Sequence, residues 1–231
     1  FNEQLSEKDY SKFLAENSLW SSKKLEEIKK KSEKVWITSP KRNLFILNSV
    51  NVSGNYIENS KNSKNVFYVT KVENSKYVNI GGWNNDCYDI TANGASEFSY
   101  ECVSGGGFYN GKFLLSCMAS DPLKKKHSLD LEYSIMVSSS QNCFGCVNLR
   151  NGEYSILNKR YSKEEYEKLV PKIIKHMDDM PYIDNKERVY KYGEFFPVEI
   201  SPFGYNETVA MDYYHLNREK AKEKGYLWED F

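Results

Sequence analysis

The sequence predicts a mainly β protein, a parallel β-solenoid of short rungs with about 21 residues per coil, flanked by helical segments. Three observations carry this prediction. Residues 43–160 alternate short apolar or aromatic runs with small polar clusters and show no 3.6-residue period. Of the 22 asparagines, 13 fall between Asn43 and Asn110. The polar clusters also resemble one another, as tight corners of a repeating coil would.

The repeats recur at intervals of 10 to 12 residues. The run NSKNVF at 62–67 is echoed by NSKYVN at 74–79, and the pattern continues at 84–89 and 95–100. One interval suits one short strand and one corner, so two intervals would make a coil of about 21 residues with two main faces. Asn and Gly accept the left-handed backbone of tight corners, and Asn side chains can form a hydrogen-bonded ladder. An antiparallel sandwich has similar strand spacing and stays open as an alternative.

The flanking segments show helical signals. Ser6 stands three residues before Asp9 at the start of one predicted helix, and Ser21 begins a second over about 21–34. After the repeats, Ser162 and Glu165 form a capping box before an apolar stripe that would cap the open end of the solenoid. We therefore predict an N-terminal helical segment (1–42), a β-solenoid repeat domain (43–160), and a C-terminal helical cap with an extended tail (161–231).

Composition excludes several classes of function. The 32 basic and 32 acidic residues cancel, so the surface as a whole has no excess of positive charge to hold a polyanion. No apolar run approaches the ~18 residues that span a bilayer, so no membrane role is expected. Five cysteines are an odd number and do not suggest a disulfide scaffold, which favours a reducing, cytoplasmic (intracellular) setting.

Two sequence blocks are distinctive: CFGCVNLRN at 143–151, and YGEFFP at 192–197 followed by SPFGYNET at 201–208. They resemble an uncharacterised family of zinc-ribbon-associated, Asn- and Cys-rich repeat proteins of uncultivated reduced-genome bacteria and giant viruses, over roughly residues 43–231. The resemblance implies that this chain is an internal fragment of a protein whose zinc modules precede the repeats. It implies no function. Relatives tend to have Cys at positions such as Ser155, which weakens a metal role for the repeat cysteines here.

Cys143 and Cys146 have the spacing of a zinc-ligand pair, and His127 could add a third ligand across a corner. A structural zinc site needs four ligands, and strict strand alternation would point residues 143 and 146 to opposite faces unless the chain turns at Gly145. Cysteine is also a common small core residue. We expect core packing, with zinc as the only cofactor that the sequence allows.

Four acids form a second candidate site on one flank of neighbouring coils: Asp86, Asp89, Glu97 and Glu101. Paired carboxylates on a parallel β-helix would suit glycoside hydrolysis if two of them lay about 5–10 Å apart across a groove. A solvated strand face is the competing interpretation.

The sequence contains no catalytic constellation. The leading hypothesis is therefore a non-enzymatic solenoid scaffold or binding module that offers an aromatic- and Asn-lined face to a protein or polymer partner. One alternative is a carbohydrate-active β-helix that uses the four acids. The other is a scaffold in a nucleic-acid-associated zinc protein, which would need a local basic strip from the lysine runs at 29–31 and 124–126.

Overall fold

A computed structural model describes residues 4–17, 21–119 and 128–230. The chain divides into two compact units, residues 1–43 and 44–231. Within the described residues, no helix has the length and apolarity that crossing a membrane requires.

The first unit contains helices α1 (Glu7–Glu16) and α2 (Ser22–Thr38). The Ser6 hydroxyl accepts the N–H of Asp9 at 3.2 Å, which confirms the predicted start of α1. Ser21 caps α2, also as predicted, although the helix runs past residue 34.

The second unit confirms the parallel β-solenoid. Its main sheet has sequential strand order, and every neighbouring pair is parallel except the last. The strands are β1 (Ile46–Leu47), β2 (Val50–Glu58), β3 (Lys61–Thr70), β4 (Lys76–Gly82), β5 (Tyr88–Gly94), β6 (Tyr100–Gly106), β7 (Phe108–Leu115), β8 (Ser128–Ile135), β9 (Gln141–Phe144), β10 (Glu153–Ile156) and β11 (Lys159–Arg160).

The predicted coil length is wrong. Lys76 pairs with Tyr88 and Tyr88 with Tyr100, so one coil takes 12 residues and not 21. The 10–12-residue interval in the sequence therefore marks a whole coil, where it was interpreted as half of one. Between β7 and β8 the offset is 20, as in the pairing of Gly111 with Leu131. The eight extra residues enter after Ala119, outside the described residues.

Each coil is built from four three-residue steps. In every step the first residue points inward, the second points outward, and the third has a positive φ and turns the chain. Asn59, Asn62 and Asn65 illustrate the third position, with φ of 49°, 52° and 55°. Asparagine tolerates this left-handed backbone better than most residues, which explains why the repeats are rich in it. The result is a four-sided coil with a very small interior.

Buried serines satisfy the backbone of this interior. The Ser63 hydroxyl donates to the carbonyl of Lys61 at 2.9 Å and accepts the N–H of Ser75, one coil further on, at 3.2 Å. The Ser75 hydroxyl repeats the arrangement toward the N–H of Cys87 at 3.1 Å. Because a buried N–H without an acceptor is costly, serine is a structural requirement at these inward positions.

The predicted asparagine ladder is present at one corner. The amide of Asn51 donates to Asn62 at 3.1 Å, and that of Asn62 donates to Asn74 at 3.4 Å. These side chains repeat along the solenoid axis, because equivalent residues of adjacent coils are about 4.8 Å apart.

The last coil is followed by helix α3 (Lys163–Asp179), which contacts β10. The predicted capping box is present, since Ser162 and Glu165 each accept the other's backbone N–H, at 3.2 and 3.0 Å. The rest of the chain forms short elements, namely β12 (Tyr182–Ile183), β13 (Val189–Tyr190), 3-10 turns at Val198–Ile200 and Tyr205–Glu207, α4 (Ala210–Tyr213) and α5 (Arg218–Glu223).

Candidate binding surface

One side of the four-sided solenoid carries no charge. It consists of the two outward residues of the same three-residue step in eight successive coils, and we call it the uncharged side. Its members are Asn55, Tyr56, Phe67, Tyr68, Asn79, Ile80, Thr91, Ala92, Val103, Ser104, Leu115, Ser116, Ile135, Met136, Val147 and Asn148.

The absence of charge is specific to this side. The chain is 28% charged, so sixteen positions would hold four or five charged residues on average. The other three sides, counted over equivalent positions of eight coils, hold three, six and six charged residues. Depletion of charge with enrichment of aromatic and aliphatic residues is typical of the centre of a protein interface.

Several large apolar side chains of this side are open to solvent. Tyr68 is 59% exposed, Met136 59%, Ile80 56%, Val147 50% and Phe67 43%. The sheet holds them in register, because Phe67 pairs with Asn79 and the same alignment continues coil by coil. The side is therefore a regular apolar strip on a rigid β scaffold.

Ile80 breaks a local rule on this strip. Its φ is +55°, and it is the one β-branched residue among the described non-glycine residues with positive φ. A β-branched side chain in this conformation costs about 1 kcal/mol or more. The exposed side chain of Ile80 gains little from burial in return. The folding of the solenoid therefore does not explain why isoleucine stands at this corner.

Aromatic rings stack at the N-terminal end of the strip. The rings of Phe45 and Tyr56 are 4.9 Å apart, and those of Tyr56 and Tyr68 are 4.5 Å apart, with interplanar angles of 9° and 7°. In this stack the ring faces cover one another, and mainly the ring edges remain accessible. The arrangement suits lateral packing against apolar side chains better than stacking on sugar rings, which requires an open ring face.

The four predicted acids lie at two neighbouring corners of the coil. Asp89 and Glu101 occupy equivalent positions of adjacent coils, since Tyr88 pairs with Tyr100. Asp86 lies at the preceding corner, and Glu97 is next to it because Asn85 bridges to Glu97. Equivalent positions are about 4.8 Å apart along the axis, so the structure brings Asp89 and Glu101 together.

Burial perturbs the Asp89–Glu101 pair. It raises the pKa of the Glu101 carboxyl, and the negative charges of Asp89 and Glu194 add to the effect, while a hydrogen bond with Tyr100 opposes it. Burial also raises the pKa of Asp89, against the attraction of Lys76. Glu101 Oε2 is buried without a hydrogen-bond partner among the described residues. Such a pair can retain a proton more readily than exposed carboxyls do.

All five cysteines are buried and free. The even spacing of Cys87, Cys102 and Cys117 follows from the coil, because 15 residues are one coil of 12 plus one three-residue step. Each thiol therefore lies one coil further along and one side further round. Their sulfurs take the structural role of the serine hydroxyls: Cys117 Sγ donates to the carbonyl of Ser134 at 3.3 Å and accepts the N–H of Val137 at 3.4 Å.

Cys143 and Cys146 both point into the core. The chain turns at Gly145, whose φ is +65°, so the two residues are inward positions of consecutive three-residue steps and do not point to opposite faces. Interaction with the Cys146 thiol, together with burial, raises the pKa of Cys143. His127, the proposed third ligand, lies outside the described residues. The described residues contain no group of three or more His, Cys, Asp or Glu placed to hold a metal ion.

The basic strip is only partly visible. The lysines at 124–126 lie outside the described residues. The lysines at 29–31 are exposed on α2, which also carries acids; Lys30 pairs with Glu26 at 3.3 Å. The nucleic-acid hypothesis stays a prediction.

The C-terminal tail covers part of a different side of the solenoid. The Tyr192 hydroxyl donates to Glu132 at 2.8 Å, and the N–H of Gly193 donates to the Tyr133 hydroxyl at 2.9 Å. A cavity of about 230 Å³ lies beside this contact, lined by aromatic and methionine side chains with Lys191 and Glu194. Because these contacts involve the step that precedes the uncharged side, the tail leaves the exposed strip residues open.

Comparison of the chain with known protein families and with curated proteins finds no match. The resemblance to zinc-ribbon-associated repeat proteins therefore stays a prediction from its sequence motifs.

Sequence reasoning missed the uncharged side. A signal was present: residues 67, 79, 91, 103 and 115 are 12 apart and none is charged. Finding it requires the 12-residue coil, and the 21-residue interpretation distributed these positions over different faces.

Proposed function

We propose that this chain is a non-enzymatic β-solenoid binding module whose uncharged side binds a protein partner. The observation that carries the proposal is the absence of charge from sixteen outward positions that share one side. A partner with an apolar surface could cover this side without desolvating a charged group, which would be costly.

A protein fits this side better than a carbohydrate polymer does. The stacked rings of Phe45, Tyr56 and Tyr68 leave few ring faces open. The lack of charge also argues against a polyanion, whose affinity would come from lysine and arginine. We further propose a reducing, intracellular setting, which the free, buried cysteines support.

Site-specific photo-cross-linking tests this function. A benzophenone amino acid would replace Thr91 on the uncharged side, or Tyr88 on the neighbouring side of the same coil as a matched control. Both are exposed, outward strand residues in equivalent positions of consecutive steps. Irradiation in an extract of the cells that make the protein should give a discrete adduct from position 91 and none from position 88. Equal labelling of both positions, or of neither, would contradict the proposal.

One observation favours the carbohydrate-active alternative as a second candidate. Asp89 and Glu101 lie on adjacent coils, and the pKa of each carboxyl is raised by burial. That alternative predicts release of reducing ends from a polysaccharide, abolished by Glu101→Gln and unaffected by Glu97→Gln. Hydrolysis that persists in the Glu101→Gln variant would remove these carboxyls as its source.

A further inference from the structure

We propose that the partner of the uncharged side is a second copy of this chain, so that two solenoids pack side against side. This inference rests on the proposed function, because it names the occupant of the same surface. The argument has three steps, which concern charge, area and shape.

Charge makes the surface self-complementary. A two-fold interface places the same patch on both subunits, so any charge on the patch would face a like charge or a desolvated neighbour. The uncharged side avoids this entirely, whereas the other sides carry three or more charged residues each. A side that must meet its own copy is the one side of a solenoid that gains from having no charge at all.

The area is sufficient for a stable dimer. If sixteen residues each expose about 50 Å², the side offers on the order of 800 Å² per copy, which is the area of a standard protein interface. Phe67, Tyr68 and Met136 supply a large share, since each is close to half exposed or more. By contrast, the N-terminal end of the solenoid presents a single small coil and offers much less.

The shape also fits. Consecutive coils place Thr91, Val103 and Leu115 in one straight row, because the strand register is constant from β5 to β7. Two such flat faces pack at about 10 Å with their strands roughly aligned, as in other sheet-on-sheet contacts. Parallel sheets are usually covered on both faces, and the interior of the solenoid covers only one. Ile80 then lies at the edge of the contact, where its exposed side chain would be buried by the partner.

Sedimentation velocity of the full chain over a range of about 1–200 µM tests the inference. Wild type should show a monomer–dimer equilibrium. Thr91→Lys puts a charge in the middle of the row and should weaken dimerisation at least tenfold. Thr70→Lys, an outward strand position on another side, is the matched control and should leave the equilibrium unchanged. Circular dichroism and urea midpoints establish that the variants fold, and Asn79→Lys replaces Thr91→Lys if that variant does not.

The outcomes separate this inference from the proposed function. A wild-type chain that is monomeric at 200 µM overturns the second-copy inference, and so does a dimer that Thr91→Lys and Thr70→Lys affect equally. If the purified protein is monomeric but position 91 still forms an adduct in extract, the binding function holds and the partner is a different protein. If neither assay gives a signal, both proposals are wrong.

Discussion

Replacing Ser75 by alanine should destabilise the solenoid through one buried backbone group. Ser75 is 3% exposed, and its hydroxyl accepts the N–H of Cys87 at 3.1 Å and donates to the carbonyl of Glu73 at 2.7 Å. The Glu73 carbonyl keeps a second donor, the N–H of Asp86. The Cys87 N–H, in contrast, would lose its acceptor, which costs about 1–3 kcal/mol, and the lost donation adds about 0.5 kcal/mol.

Ser75→Cys provides the comparison that isolates this cause. Cys87, which occupies the same inward position one coil later, donates through its thiol to the carbonyl of Asn85 at 3.3 Å. A cysteine at position 75 therefore fits the interior and keeps both polar roles in weaker form, so it should lose less than half of what alanine loses. Ser104→Ala changes an exposed corner and should stay within about 0.5 kcal/mol of wild type.

The measurement is urea denaturation followed by circular dichroism, with hydrogen exchange of the Cys87 amide as a local readout. Ser75→Ala should lower the free energy of unfolding by about 2–3 kcal/mol and increase exchange at this amide. The reasoning would be refuted if Ser75→Ala matched Ser104→Ala in stability, or if Ser75→Cys were less stable than Ser75→Ala.

Three further predictions concern stability. Gly105→Ala should cost at least about 3 kcal/mol, because its Cβ would lie 1.8 Å from the Cys117 carbonyl oxygen, whereas Gly193→Ala, also at positive φ but in open space, should cost about 1 kcal/mol; equal urea midpoints would contradict this. Burial raises the pKa of Cys87 from 9.0 to about 11, so its contribution to stability is complete below pH 9 and is lost as pH rises toward 11; the difference in stability between wild type and Cys87→Ser should change over that range and not below it. The pKa of Glu101 is raised, so its contribution is present at low pH and lost as pH rises; Glu101→Gln should be more stable than wild type at pH 7 and similar to it at pH 4, and the reverse order would refute the burial argument.

The fold class was predictable because corner chemistry is visible in the sequence. Asn62 and Asn74 mark equivalent corners, and few residues other than asparagine and glycine tolerate a left-handed backbone so often. The coil length was not predictable by the same reasoning, because an ordinary strand alternates its faces every two residues. In this solenoid a positive φ at every third residue replaces that alternation. Residues with side chains as different as Tyr68, Lys71 and Ile80 occupy such positions, so the three-residue period is hidden in the residue types.

The candidate sites were predictable to different degrees. The burial of Cys143 and Cys146 agrees with the expectation of core packing, and Gly145 supplies the turn on which their common direction depends. The proximity of Asp89 and Glu101 follows only from the 12-residue register, since the residues are 12 apart in the chain. The uncharged side depends on the same register and also on the division of each coil into four steps.

The structural requirements of a 12-residue coil end at its inward and corner positions. Inward residues must be small or satisfy a backbone group, and corner residues must accept a positive φ. The outward strand positions are restrained by neither requirement, and on three sides they include charged residues such as Lys64, Glu73 and Arg150. Folding alone therefore gives no reason for a side without charge, and it opposes isoleucine at position 80. Both features are accounted for if this side is covered in the functional state, because burial then disfavours charge and rewards an aliphatic side chain despite its backbone cost.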